Sequence, residues 1–334
     1  MNSGWTGHAD LVRAVTGAVR SPVAAVAVVT PDGDMTATRG TDRHSSFEIG
    51  SISKVLTGMV YGDALDRGLI SQKTVLGDLL PLDPAGEVGA VPLSSLAIHR
   101  SGLPRLAPGM HPLRRTLKLW VHGENPYGDS LTDLLEQTRD VHLGTRRFRY
   151  SNLGFQLLGH AVAKAAGSSY GELVQDVLSS EFSAPTCVAD LGPTDVRGVN
   201  RLGRSMQAWV GEAVAPAGGI RASISTMVGF LRSVLDGTAR GLSALEPSAD
   251  CVPGVGIGAG WLVVDHRGRK VTWHNGSTGG FSSWIGLDRE AGVGVVVLVA
   301  THGSVDRSGF RLLTEFTTTG TMPGRRGIDG RPAA

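Results

Sequence analysis

Strand-like sequence lies at the two ends of this chain, and a long helical stretch separates them. Near the start, "VAAVAVVTPDGDMTATRG" forms two strand-like runs around a turn at Pro31-Asp32-Gly33-Asp34. Strand character returns late. "GAGWLVVDHRGRKVTWHNG" reads as a hairpin turning at Arg267-Gly268, and "SSWIGLDREAGVGVVVLVAT" as another turning near Glu290 to Gly292. From about Leu69 to Val199 the signals are helices and loops. "DSLTDLLEQTRDV" has a serine or threonine cap before an amphipathic pattern, and "NLGFQLLGHAVAKAAG" is stopped by Gly167. Further helices are "LVRAVTGAV" near the start and "STMVGFLRSVL" and "RSGFRLLTEF" near the end. This order predicts an α+β fold, with an antiparallel sheet assembled from both chain ends, flanked by helices and accompanied by an all-helical lobe. The boundaries follow: 1–68 and 205–322 form a discontinuous sheet lobe, 69–204 the inserted helical lobe, and 323–334 a tail expected to be disordered.

Several function classes drop out. The 334 residues suffice for two lobes, but a net charge of +2, without a basic block, argues against a nucleic-acid partner. Cys187 and Cys251 form no CxxC pair, so neither a disulfide framework nor a thiolate zinc site is expected. The ten histidines include no HExxH and no close ligand pair, so no metal and no cofactor is expected. His99 and His160 read as core or capping residues. "GVGIGAG" (Gly254 to Gly260) ends at a strand instead of opening a helix, which fits a flexible lead and not a nucleotide loop. No run of about 18 apolar residues marks a membrane span, and the N-terminus has no basic segment followed by an apolar stretch. The expectation is a cytoplasmic protein with no membrane partner; the sequence carries no signal for an oligomeric state.

The chemistry-bearing feature is "FEIGSISKVLTG", Phe47 to Gly58. Ile52, Val55, Leu56, Met59, Val60 and Asp63-Ala64 follow a 3.6-residue period that Gly68 ends. The chain has only five lysines, and Lys54 falls inside this apolar run. Positions three apart share a helix face, so Ser51 and Lys54 can meet, whereas Ser53 and Lys54 cannot. Burial disfavours the ammonium form, and a neutral amine can take a serine proton. The plainer alternative is an N-cap serine beside a lysine that snorkels to water. Two other stretches bear on the choice. "FRYSNLGFQLLGHAV" presents Tyr150 and Asn152 where a helix begins: a phenol that can share a proton, and an amide that can hold a carbonyl. The alternatives are a packed aromatic and a helix cap. "VTWHNGSTGGFSSWIGLD" presents His274, Gly276 and Ser277, with glycines beside a strand that allow close backbone approach or simply form a bulge.

The order and separation of these stretches resemble the serine β-lactamase and penicillin-binding-protein superfamily, in its class C β-lactamase-like branch. That branch includes D,D-carboxypeptidases, D-aminopeptidases, esterases and acyltransferases. Ser-x-x-Lys falls on Ser51 and Lys54, Tyr-x-Asn on Tyr150 and Asn152, and Lys-Thr-Gly or His-x-Gly on His274 to Gly276. "LSSLAIHRSGLP" (Leu93 to Pro104) and "APAGGIRASISTMVGFL" are also similar to family segments, with Arg100 where threonine is usual. The resemblance implies a β-lactamase/transpeptidase-like fold and an acyl-ester on Ser51. It also implies proton transfer by Lys54 and Tyr150, with the formal base undecided. The backbone N–H groups of Ser51 and Ser277 would form the oxyanion hole. Asn152 would orient the acyl side, and His274 and Gly276 would bind substrate, His274 on the edge strand near the leaving group.

Histidine at 274 departs from the lysine of β-lactamases and weakens the case for a carboxylate-bearing antibiotic. The expectation is hydrolysis of a small ester or amide, with acyl transfer to an amine or alcohol as the alternative; D,D-carboxypeptidase or β-lactamase activity ranks lower, and a non-catalytic binding protein last. Specificity is expected from about Leu103 to Thr145 and Arg197 to Trp209. Trp120, Tyr127, Trp209, Phe281 and Trp284 are assigned to core packing before an acyl pocket, and Arg149 adjoins Tyr150.

Overall fold

The computed structural model describes residues 4–319. The expectation for the 323–334 tail lies outside them. The chain runs β1 (Trp5–Gly7), α1 (Ala9–Val15), β2 (Ala24–Thr30), β3 (Gly33–Arg39), β4 (Ser46–Glu48) and α2 (Ser53–Asp66). Helices α3 (Leu93–Ala97), α4 (Pro112–His122), α5 (Leu131–Thr138), α6 (Asn152–Ala166) and α7 (Tyr170–Val177) follow. Then come β5 (Arg221–Ser223), α8 (Ile224–Leu235), β6 (Ala249–Val252), β7 (Val255–Ile257), β8 (Leu262–His266), β9 (Arg269–Ser277), β10 (Ser282–Asp288), β11 (Val293–Val299) and α9 (Asp306–Thr319).

Nine strands form one antiparallel sheet in the order β1-β3-β2-β11-β10-β9-β8-β7-β6, and β4 pairs with β5 separately. The two chain ends meet where β2 lies beside β11, from Ala24 opposite Val299 to Val29 opposite Gly294. From Ala24 to Val29 and along β11 every residue is apolar, for a reason visible in the period-2 alternation. Ala24, Val26 and Val28, with Val295 and Val297, pack under α1 and α9. Ala25, Ala27 and Val29, with Val296 and Leu298, face α8 and the helical part of the chain. On the α9 side, fully buried Trp284 stacks on Trp273 and meets Phe310 edge-on, with ring centroids 6.4 and 5.1 Å away. Glycine makes room for the indole: a Cβ at Gly286 or Gly309 would lie 2.1 or 2.2 Å from it.

One expectation needs correction. Helix α2 enters the core, and every residue from Ser53 to Ala64 is buried. Helices α6 and α7 and the 215–219 and 242–245 turns enclose it. The 254–260 stretch is not a flexible lead. It contains β7, and Gly260, at φ +75°, lies so close to α2 that a Cβ would sit 2.3 Å from the Lys54 carbonyl oxygen. Strands β1, β6 and β7 and helix α4 are additions to the expected elements.

A buried ion network anchors β4, the strand that leads to Ser51. Arg221, 1 % exposed, reaches Glu48 at 3.1 Å and Asp195 at 2.6 Å, and donates to the Ser46 and Val196 carbonyls at 2.9 Å. Burial pushes the Glu48 carboxyl up and the Arg221 charge opposes it.

Candidate active site

Three backbone segments are pressed together by glycine. After β4 the chain makes a 3₁₀ turn, Gly50–Ile52, that continues into α2. In such a turn, positions three apart eclipse, which brings the Ser51 and Lys54 side chains together. Ser51 therefore precedes the α-helix instead of lying within it. Gly50 has φ +53°, and a Cβ there would lie 2.6 Å from the Ser277 nitrogen. A Cβ at Gly276 would lie 2.1 Å from the Ile49 oxygen and 3.0 Å from the Ser51 nitrogen. The Ser283 hydroxyl donates to that Ile49 oxygen at 2.7 Å. The backbone nitrogens of Ser51 and Ser277 thus converge on one space.

Ser51 Oγ is held between two groups. The Tyr150 phenol donates to it at 2.7 Å, and Lys54 Nζ stands 3.2 Å away. Nζ also donates to the Ala217 carbonyl at 2.5 Å and lies 4.9 Å from the Tyr150 ring centroid. Lys54 has no exposed surface. Burial holds its amine well below the usual lysine range, and the Arg105 charge adds to the effect. Burial also pushes the Tyr150 phenol up to about 12, against the opposing pull of its Ser51 hydrogen bond and of Arg105. A neutral amine that can accept a proton therefore faces a neutral phenol that can donate one, with the serine oxygen between them. Buried His99 supports the arrangement from behind. Its ring packs against Tyr150 at 4.6 Å and its Nδ1 accepts the Ser151 N–H at 3.1 Å.

Asn152 opens α6, but the cap is Ser151, whose Oγ accepts from Gly154 N at 2.9 Å. The Asn152 amide is left for other work. Its Nδ2 meets the Tyr127 hydroxyl at 3.4 Å, and its Oδ1 is buried without a partner. His274 is placed differently from the expectation. It lies in the half of β9 that extends past β8 and so has a sheet neighbour on one side only. Its ring, however, is 5 % exposed and lies behind the cleft wall. Burial pushes it down to about 4, so it is neutral. A strand residue one position on takes the surface: Asn275 lines the cleft.

That cleft, about 360 Å³, has Ser51 in its wall together with Tyr150 and Arg105 from the helical segments, and Asn275, Ser277 and Asp306 from β9 and α9. Arg149, beside Tyr150 in sequence, does not line it. Arg105 was one residue beyond the family-like segment ending at Pro104, and its carbonyl accepts the N–H groups of Asn152 and Leu153 at 3.0 and 3.2 Å. Asn275 was inside the His274–Gly276 triplet, where only its neighbours drew notice. Asp306 and His302 had no sequence signal; the turn after β11 brings them to the end of β9. Of the aromatics, Trp284 is core. Tyr127 and Trp209 pair at 4.7 Å near Asn152, and Trp120 meets His302 at 5.0 Å.

A sheet assembled from both chain ends, with a Ser-Lys-Tyr cluster where it meets the helices, defines the β-lactamase/transpeptidase class of folds. Within that class, a family model described as Beta-lactamase matches residues 9–315, and the chain belongs to that family. It has the β-lactamase/transpeptidase fold. A probable fimbrial assembly protein FimD (serogroup H1) of Dichelobacter nodosus is 31% identical over 151 residues, 44% of this chain and 36% of that protein. The chain thus spans about a third of that relative's length. A Beta-lactamase of Pseudomonas fluorescens is 21% identical over 295 residues, 75% of this chain and 78% of that one. Among solved structures, the octameric penicillin-binding protein homologue from Pyrococcus abyssi has a TM-score of 0.78 at 18% identity, covering 92% of this chain and 76% of that one. The class C beta lactamase from Rhodobacter sphaeroides has 0.72 at 20%, covering 96% and 99%.

Proposed function

We propose that the protein hydrolyses a small ester or amide through an acyl-ester on Ser51. The observation that carries this reading is the 3.2 and 2.7 Å approach of Lys54 Nζ and the Tyr150 hydroxyl to Ser51 Oγ, with the amine buried and neutral. Lys54 takes the serine proton as Oγ attacks the carbonyl carbon. The Ser51 and Ser277 N–H groups receive the negative charge that develops on the carbonyl oxygen. Tyr150 gives a proton to the departing oxygen or nitrogen, and is reprotonated from Lys54. Water then attacks the acyl-ester, and the same groups return the proton to Ser51. Asn152, with an unpaired buried oxygen and an amide nitrogen beside Tyr127, is suited to hold the acyl side.

The neutral, buried His274 disfavours a carboxylate-anchored β-lactam or a D,D-carboxypeptidase substrate, since no fixed cation stands at that position. Solvent reaches the cleft at exposed Arg105 and Ser304, which favours water over an amine or alcohol as acyl acceptor. The test is turnover of p-nitrophenyl butyrate, with the intact protein mass followed. Wild type should release nitrophenol and gain a butyryl mass at Ser51, and Ser51→Ala should do neither. Equal rates in the two proteins would refute the reading. Added amine that diverts product from acid to amide would move the assignment to acyl transfer.

A further inference from the structure

The cleft beside Ser51 carries a carboxylate that the acyl-serine chemistry leaves unused. Asp306 opens α9, and Asn275 Nδ2 donates to both of its oxygens at 3.1 Å. Asn275 is fixed by β9, opposite Trp284 of β10, so the sheet aims the amide and the amide holds the carboxylate. An ionised carboxylate offers about four acceptor sites, and Asn275 takes two. Among the described residues Asp306 has no cation within ion-pair distance.

The other ionisable groups at this place do not supply one. Lys54 lies behind Ser51 and is neutral, and His274 is buried and neutral. The His302 Nδ1 lies 3.2 Å from the Ser277 hydroxyl and 2.7 Å from the Thr278 carbonyl. Arg105 lines the same cleft, 5.6 Å from the Tyr150 ring centroid, but is exposed and makes no ion pair among the described residues. An exposed, unheld arginine gives up side-chain freedom to bind an anion, and such surface pairs contribute little. Asp306 is half-buried and already oriented, so binding a cation costs it little ordering.

The side of the reacting bond follows from the lining. Tyr150, the proton donor to the departing atom, lines this cavity, whereas Asn152 does not. The space shared by Tyr150, Asn275 and Asp306 therefore takes the leaving group. We propose that Asp306, held by Asn275, is a recognition site for a cationic leaving group, an amino alcohol or diamine whose ammonium lies a few bonds from the scissile ester or amide. This rests on the acyl-Ser51 reading. The Ser51 oxygen forms a bond to the acyl carbon, the bond to the leaving oxygen or nitrogen breaks, Tyr150 protonates that atom, and the ammonium departs unchanged.

The test uses butyrate esters that share one acyl half: 3-(dimethylammonio)propyl butyrate, its neutral isostere 4-methylpentyl butyrate, and 3-carboxypropyl butyrate. The cationic ester should exceed the neutral one in kcat/KM by about tenfold or more, as hydrogen bonds to charged groups allow. The ratio should fall toward unity in Asp306→Asn. In wild type it should shrink with added salt, which checks the proposal without a variant. A ratio near one in wild type overturns the proposal. So does a ratio that Asp306→Asn leaves unmoved, which would make Asp306 a support for Asn275 only, or a preference for the carboxylate ester, which would give the choice to Arg105. Failure of all three esters, with no acyl mass on Ser51, would sink the acyl-serine reading first and this subsite with it.

Discussion

Lys54 concentrates the cost and the use of this site in one residue. Its amine is buried and held well below the ordinary lysine range in the folded protein, but in the unfolded chain it stays charged up to a pH of about 10.4. The unfolded state therefore binds the extra proton. Stability contributed at this position is lost as pH falls from about 10.4 toward the depressed folded value and regained as pH rises, by about 1.4 kcal/mol per unit within that window. Lys54→Met has no such dependence. Removing the amine also strands the Ala217 carbonyl, a penalty that does not change with pH. We predict that urea unfolding at pH 7 and pH 9.5 shows the stability of wild type rising relative to Lys54→Met; an equal difference at both values would mean that the amine is charged when folded. Activity should fall about 10²–10⁴-fold in the variant. In wild type, kcat/KM should rise with pH through an acid limb shared by the coupled groups Lys54, Tyr150 and Ser51.

At the scale of elements, legibility in the sequence tracks how local the cause is. The hairpins at Arg267-Gly268 and Glu290–Gly292 carry their own turn residues, and α5 and α6 carry their own caps, so each is readable from a few neighbours. Helix α4 carries an apolar stripe, Leu113, Leu117, Trp120 and Val121, but that stripe lies exposed and only Leu119 is buried, so no core contact fixes the helix. Strands β1 and β7, three residues each, exist because a sheet edge was there to pair with. Likewise Ser51 and Lys54 were readable from their spacing and Tyr150 from the family resemblance, whereas the inward turn of His274 and the arrival of Asp306 depend on how β9 meets its neighbours. Gly309 shows the same dependence energetically. Inside a helix, glycine to alanine normally gains up to about 1 kcal/mol. Here the new methyl would lie 2.2 Å from the Trp284 ring, backed by Trp273 and Phe310. Overpacking costs about 1–3 kcal/mol and outweighs the propensity gain. Gly309→Ala should lower the thermal midpoint, with the Ser51 chemistry unchanged at temperatures where it stays folded; a raised midpoint would show that α9 can shift away from the sheet.

The whole molecule keeps several bases neutral in its interior, and this sets how it meets acid. His99 and His274 are both held below the ordinary histidine range, chiefly by burial, and His274 is near 4. His160 is lowered by burial as well, against the opposing pull of Glu212. In the unfolded chain these rings take up protons as pH falls through about 6.5. Between that value and their depressed folded values the unfolded state is the better proton binder, so stability falls as the solution is acidified. For His274 alone, a change from 6.5 to about 4 corresponds to roughly 3 kcal/mol at about 1.4 kcal/mol per unit. Domains of this kind have only about 5–15 kcal/mol in total. Glu48 acts in the opposite sense: its raised carboxyl makes the folded state the better proton binder above the unfolded carboxylate range, which softens the loss without reversing three histidines. The urea midpoint should therefore drop steeply between pH 7 and pH 4.5. Substituting His274 by Asn, which titrates nowhere in that interval, should make the drop shallower whatever it does to stability at pH 7. A midpoint that stays level from pH 7 to 4.5 in wild type would mean that these rings are charged or solvated in the folded protein, and the neutral wall behind Ser51 would have to be given up.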